Sequence, residues 1–79
     1  PAIVMVGQPV LCICGAMFPP VGGVIIGFVD REATRWTPAA TMAVVRWEDG
    51  HQDLHELSEI HPQGWRSRNG SGLGVFFAR

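Results

Sequence analysis

The chain contains no lysine, no tyrosine and only two cysteines. Each shortage excludes something. Six arginines stand against seven acidic residues, so the net charge is −1. A nucleic-acid binder needs surplus basic side chains along one face. The closest basic pairs, Arg31 with Arg35 and Arg66 with Arg68, do not supply it, and no DNA or RNA partner is expected. Two cysteines are too few for the disulfide framework of a small secreted domain. Cys12 and Cys14 lie one residue apart. On a strand both point the same way, and a bridge between them would close a very short ring. They read as two buried free thiols, which suits a cytoplasmic protein. No apolar run approaches the roughly 18 residues of a membrane span, and residues 1–6 are too short for a signal peptide.

What is present is small and apolar: 79 residues, 8.6 kDa, 47% hydrophobic. Such a chain makes one domain over residues 1–79. It can hide only about 60% of the surface its unfolded form exposes, so its core is thin. The apolar content excludes the disordered class. Low charge on an apolar surface favours self-association, and a homo-oligomer is expected. Ten glycines and six prolines suit short strands and turns.

Apolar, β-branched runs predict strands over 2–6, 10–14, 24–29, 42–47 and 73–78. Gly27 predicts a bulge or bend within its strand. Pro19 and Pro20 cannot sit inside a ladder, so 15–23 is a loop. Residues 30–41 form a second loop with Trp36 near its tip. Asp49-Gly50 between two strands predicts a type I′ hairpin. A two-residue loop would set Val45 opposite Leu54 and Arg46 opposite Asp53, with Val45 and Leu54 at the centre of the core face. Leu57 and Ile60, three apart, predict one 3₁₀ turn. Asn69-Gly70 marks either a loop or another hairpin turn.

The chain is therefore expected to be all-β, with five or six short antiparallel strands and one 3₁₀ turn. Gly7-Gln8-Pro9-Val10, Gly23-Val24-Ile25, Val44-Val45-Arg46-Trp47-Glu48-Asp49-Gly50 and the stretch from Leu54 to Ile60 together resemble an SH3-like small barrel of the Tudor or KOW type, over residues 7–61. That resemblance implies a barrel used for peptide, histone-tail or RNA recognition, and in one group for reductase chemistry, so fold does not decide function. The sequence departs from two of its members. The aromatic cage of methyl-lysine readers would have to be built without tyrosine. The Val-Gln-Ile-Tyr stretch of the small plasmid-borne reductases has only His51-Gln52-Asp53-Leu54 as its nearest counterpart.

Cys12, Cys14, His51, His55 and His61 raise the question of zinc. His51 and His55 would lie ~13 Å apart along a strand, too far for one ion, and Cys-x-Cys is not the usual knuckle spacing. No metal or other cofactor is expected. A cysteine nucleophile needs a base within reach, and nothing in the sequence sets a histidine beside Cys12 or Cys14. Phe18, Trp36, Trp47, His55 and Trp65 are the candidate ligand-binding residues. Trp36 and Trp65 read either as lids of the core or as ligand walls. The expected function is a non-enzymatic module that binds a peptide or small ligand in an aromatic-lined groove. A small enzyme with a site between subunits and a self-assembling structural protein are the alternatives.

Overall fold

In a computed structural model of the chain, residues 4–15, 17–63, 65 and 72–78 are described. The elements run β1 (Pro9–Ile13), β2 (Val21–Arg31), β3 (Ala40–Trp47), β4 (Gln52–Glu56), a 3₁₀ turn (Leu57–Glu59), β5 (Ile60–His61) and β6 (Gly74–Phe77). They form one six-stranded sheet in the order β4-β3-β2-β1-β6-β5, curled into a half-barrel. The all-β class, the number of strands and the single 3₁₀ turn are those the sequence predicts, whereas β5 over Ile60–His61 is not among the predicted strands and the strand expected over 2–6 does not form over its described residues. One pairing differs: β5 runs parallel to β6. Among the described residues, no helix is long and apolar enough to cross a membrane.

Local departures have local causes. Residues 4 and 5 carry no regular structure, and Val6 and Gly7 form a turn; the first three residues of the strand expected over 2–6 include two, Ala2 and Ile3, that lie outside the described residues. The Gly7 N–H donates to the Ile25 carbonyl at 2.7 Å, and the Ile25 N–H donates to the Gln8 carbonyl at 2.9 Å. This stretch therefore satisfies the start of the β1–β2 ladder without extending it. β2 and β3 reach further than predicted, to Arg31 and from Ala40, because the polar residues Asp30 and Thr41 still pair. Their side chains also meet, Thr41 Oγ1 donating to Asp30 at 3.3 Å. The expected irregularity at Gly27 is present as a register shift between Ile25 and Gly27. The possible hairpin at Asn69-Gly70 lies outside the described residues.

The β3–β4 hairpin differs from the prediction in the way that matters most. The Gly50 N–H donates to the Trp47 carbonyl at 2.9 Å, and the Trp47 N–H donates to the His51 carbonyl at 2.8 Å. Gly50 has φ +92°, and no described non-glycine residue has positive φ. A type I′ turn needs positive φ at Asp49 as well. The loop is instead three residues, a type I turn over Glu48-Asp49 closed by left-handed Gly50. An L side chain there would cost about 1–2 kcal/mol. Val45 consequently pairs with Asp53, Val44 with Leu54 and Ala43 with His55. This is one residue away from the predicted register, and strand periodicity is two. Leu54 therefore faces outward, 54% exposed, while Asp53 and His55 turn inward.

The inner face holds Val10, Ile25, Ala43, Val45, Trp47 and Ile60 in one buried cluster, with Val4, Cys12, Val21, Leu57, Val75 and Phe77 packed on its margin. Gly23, opposite Trp47, lets the indole lie directly on the β2 backbone. A Cβ there would come within 2.5 Å of the ring. Phe76 is buried on the other face, against His61 and Trp65.

These placements separate two core candidates. Ile25→Ala should cost about 2–5 kcal/mol in denaturant unfolding. Leu54→Ala should change stability by no more than about 0.5 kcal/mol. A large loss at Leu54 would restore the two-residue turn.

Candidate functional site

The inward turn of β4 makes the site. Asp53 and His55 from β4, Asp49 and His51 from the turn, Trp47 from β3, Val21 from the start of β2, and Cys12 and Cys14 from the end of β1 line a depression of about 230 Å³ at the open mouth of the half-barrel. Trp47 is its wall. The indole is 8% exposed, and its Nε1–H donates to Asp53 Oδ2 at 3.0 Å. The His55 ring meets the indole edge-on, with centroids 5.9 Å apart. His55 Nε2 is buried and has no hydrogen-bond partner among the described residues. A buried ring nitrogen left without a partner costs on the order of 1–3 kcal/mol.

At the rim, the Asp49 carboxylate accepts from the His51 backbone N–H at 3.0 Å and pairs with His51 Nδ1 at 2.9 Å. The two groups shift one another. The hydrogen bond and charge of Asp49 raise His51 above its ordinary value of 6.5. The His51 N–H groups hold Asp49 below its ordinary 3.8. At the edge of the depression, Cys12 Sγ and Cys14 Sγ lie 2.9 Å apart. Burial, then the hydrogen bond and charge of Cys14, then Asp53 push the Cys12 thiol up to about 11. A thiol so raised is protonated near neutrality and is a poor nucleophile. The two cysteines are not both buried as expected: Cys12 is half-buried in the ladder, whereas Cys14 follows the last residue of β1 and is exposed. Among the described residues, no three His, Cys, Asp or Glu side chains come close enough to hold a metal ion.

The five aromatic and histidine candidates are distributed as follows. Trp47 and His55 meet in the depression. Phe18, 69% exposed, sits on the β1–β2 loop at the same end of the sheet. Trp36, 84% exposed, sits on the β2–β3 loop at the far end of β2, about 30 Å of strand away. A tight hydrogen-bonded turn presents it: Thr34 Oγ1 accepts from the backbone N–H groups of Trp36 at 3.2 Å and Thr37 at 3.0 Å. The Arg35 guanidinium lies 5.4 Å from the Trp36 ring centre. Trp65 stacks on His61 with centroids 3.7 Å apart and leans on Phe76, on the face of β6 opposite Val75 and Phe77. Asp53, Asp49, His51 and Val21 complete the site without having been singled out as ligand residues. The signal for Asp53 was the turn itself, since a three-residue reading of Glu48-Asp49-Gly50 puts Asp53 on the Trp47 face.

No family model, curated protein or solved structure matches the chain.

The rim pair carries a pH signature. His51 should titrate above the ordinary histidine range in a proton NMR titration, and Asp49→Asn should return it to that range. The raised histidine favours the fold fully below pH 6.5, and this contribution fades as pH rises through the folded-state value. The lowered carboxylate contributes above 3.8 and fades as pH falls through its own folded-state value. An unshifted His51 would mean that the pair does not persist in solution.

Proposed function

We propose that this domain is a non-enzymatic binding module of the SH3-like, Tudor or KOW kind, and that it takes one cationic side chain of a peptide into the Trp47 depression. The observation that carries the reading is the composition of that depression. It has an indole wall, an adjoining valine and two carboxylates, together with a buried imidazole nitrogen that lacks a partner. At about 230 Å³ it is smaller than the roughly 300–1,000 Å³ of drug-sized sites, and the scale of one long side chain fits it better. An arginine or lysine has an apolar stem that can lie along Val21 and Trp47, and a charged head that can reach Asp53 and Asp49. His55 Nε2, when unprotonated, would accept a hydrogen bond from that head. Two free thiols suit a reducing compartment such as the cytoplasm.

Arginine-containing peptides, compared with the same peptides carrying citrulline, test the reading by the NMR shift of the Trp47 indole N–H. The arginine form should bind more tightly by roughly five- to thirtyfold, equivalent to about 1–2 kcal/mol. Binding should weaken with salt and with Asp53→Asn, which keeps an oxygen for the indole. It should strengthen as pH rises through the His51 transition, because uncharged His51 no longer offsets Asp49. Equal binding of the citrulline peptide would end the proposal.

Self-association has a separate support. Pro9, Leu11, Val24 and Ile26 line a groove of about 510 Å³ on the outer face, edged by Arg46 and Glu48. We infer that a second copy covers it, with Arg46 of each chain facing Glu48 of the other. Sedimentation equilibrium should show a dimer that Val24→Asp dissociates. A monomer at high protein concentration would exclude it.

A further inference from the structure

The binding proposal does not use the chemistry of the two thiols. Cys12 and Cys14 are both free, and their sulfurs are 2.9 Å apart at the edge of the depression. A disulfide bond is about 2.05 Å long, so the sulfurs start within roughly one ångström of bonding distance. The two residues are held differently. Cys12 is fixed in the sheet between Val21 on one side and Val75 on the other. Cys14 lies beyond the end of β1, and its backbone belongs to no ladder. The adjustment a short ring demands therefore falls on the unpaired side of the pair, next to Gly15.

We propose that Cys12 and Cys14 form a site of reversible two-electron oxidation, in which a low-molecular-weight disulfide converts the two thiols to an intramolecular disulfide at the mouth of the half-barrel. Cys14 reacts first because it is the exposed member. Its thiolate sulfur bonds to one sulfur of the oxidant. The oxidant's S–S bond breaks, and the departing sulfur takes up a proton equivalent to the one Cys14 lost. Cys12 then releases its proton to solvent, bonds to Cys14 Sγ and displaces the remaining half of the oxidant as a second thiol. The two protein thiols lose two electrons, and the oxidant is reduced to two thiols.

The order of attack has a second support. The Cys12 thiol, raised to about 11 by burial, by Cys14 and by Asp53, is a slow attacker of an oxidant in solution. Once Cys14 carries the mixed disulfide, proximity replaces concentration and the second step becomes intramolecular. The ring closed by Cys12, Ile13 and Cys14 is small, and strained disulfides are the readily reduced ones. Reversal by thiols follows from the same geometry that permits formation.

Glutathione disulfide is the probe, applied to the intact chain, with acid quenching, alkylation and intact-mass measurement. The expected product is a monomer lighter by two hydrogens, restored to its original mass by dithiothreitol. Cys12→Ala should stop at a glutathione adduct on Cys14. Cys14→Ala should form its adduct at least about tenfold more slowly, because Cys12 is still shielded by the ladder on both sides. The proposal fails if the wild-type chain stops at the adduct, if it links to a second chain instead, or if Cys14→Ala reacts as fast as Cys12→Ala. Mass is read in the absence of any peptide, so the outcome is independent of the cation-binding proposal.

Discussion

One backbone angle, the φ of Asp49, which is not positive as a type I′ turn would require, decides what the mouth of this half-barrel contains. With three residues in the turn, Trp47 and His51 become the last hydrogen-bonded partners of the hairpin. Every side chain of β4 then takes the face opposite to the one a two-residue turn would give it. The carboxylate of Asp53 and the imidazole of His55 come inside, and Leu54 goes out. The chain places two polar groups against Trp47, where one is satisfied by the indole N–H and the other is left with an unused ring nitrogen. Asp53 remains exposed to solvent, so the desolvation cost falls on the buried His55 Nε2 alone.

Trp47 carries two duties that constrain each other. Its ring is part of the buried cluster with Val10, Ile25 and Val45, and the missing side chain of Gly23 lets it lie on the strand behind. The edge of the same ring walls the depression. Because the indole is fixed on one side by the β2 backbone and on the other by its bond to Asp53, the wall would be set in advance for the ligand we propose. Preorganisation of this sort reduces the ordering cost of binding. Arg31 plays a comparable role at the far end of the sheet, where its guanidinium pairs with Glu56 and bonds the Pro38 carbonyl at 3.0 Å, tying the Trp36 loop to β4.

The parts of the fold that depend on neighbours in sequence were legible. The 3₁₀ turn at Leu57–Glu59 and the strand irregularity at Gly27 follow from spacing and from one glycine. The β4 register did not follow, because Asp-Gly serves both as the centre of a type I′ turn and as the last two residues of a type I turn closed by glycine. The difference lies in one backbone angle at Asp49, which no side-chain pattern reports. Leu54 made the wrong register attractive by offering Val45 an apolar partner. The distribution of the aromatics was illegible for a different reason. Whether Trp36 and Phe18 share an end of the sheet depends on β2 running unbroken from Val21 to Arg31, a consequence of pairing with β3 rather than of local composition.

The recognition role we propose rests on the chemistry of the mouth. Nucleophilic chemistry by a cysteine requires a thiolate, and Cys12 is shifted away from that form by burial, by its neighbouring thiol and by Asp53, which leaves such chemistry to the exposed Cys14. A histidine base is most useful when its proton is exchangeable near pH 7 and its ring is held toward a reacting group. His51 is held instead toward Asp49 in open solvent, where the pair orders the turn. What the mouth offers a ligand is a fixed apolar wall, negative charge at one side and an acceptor at the back. Those features would select a bound group by its shape and charge, with the thiol pair lying in the lining of the same depression.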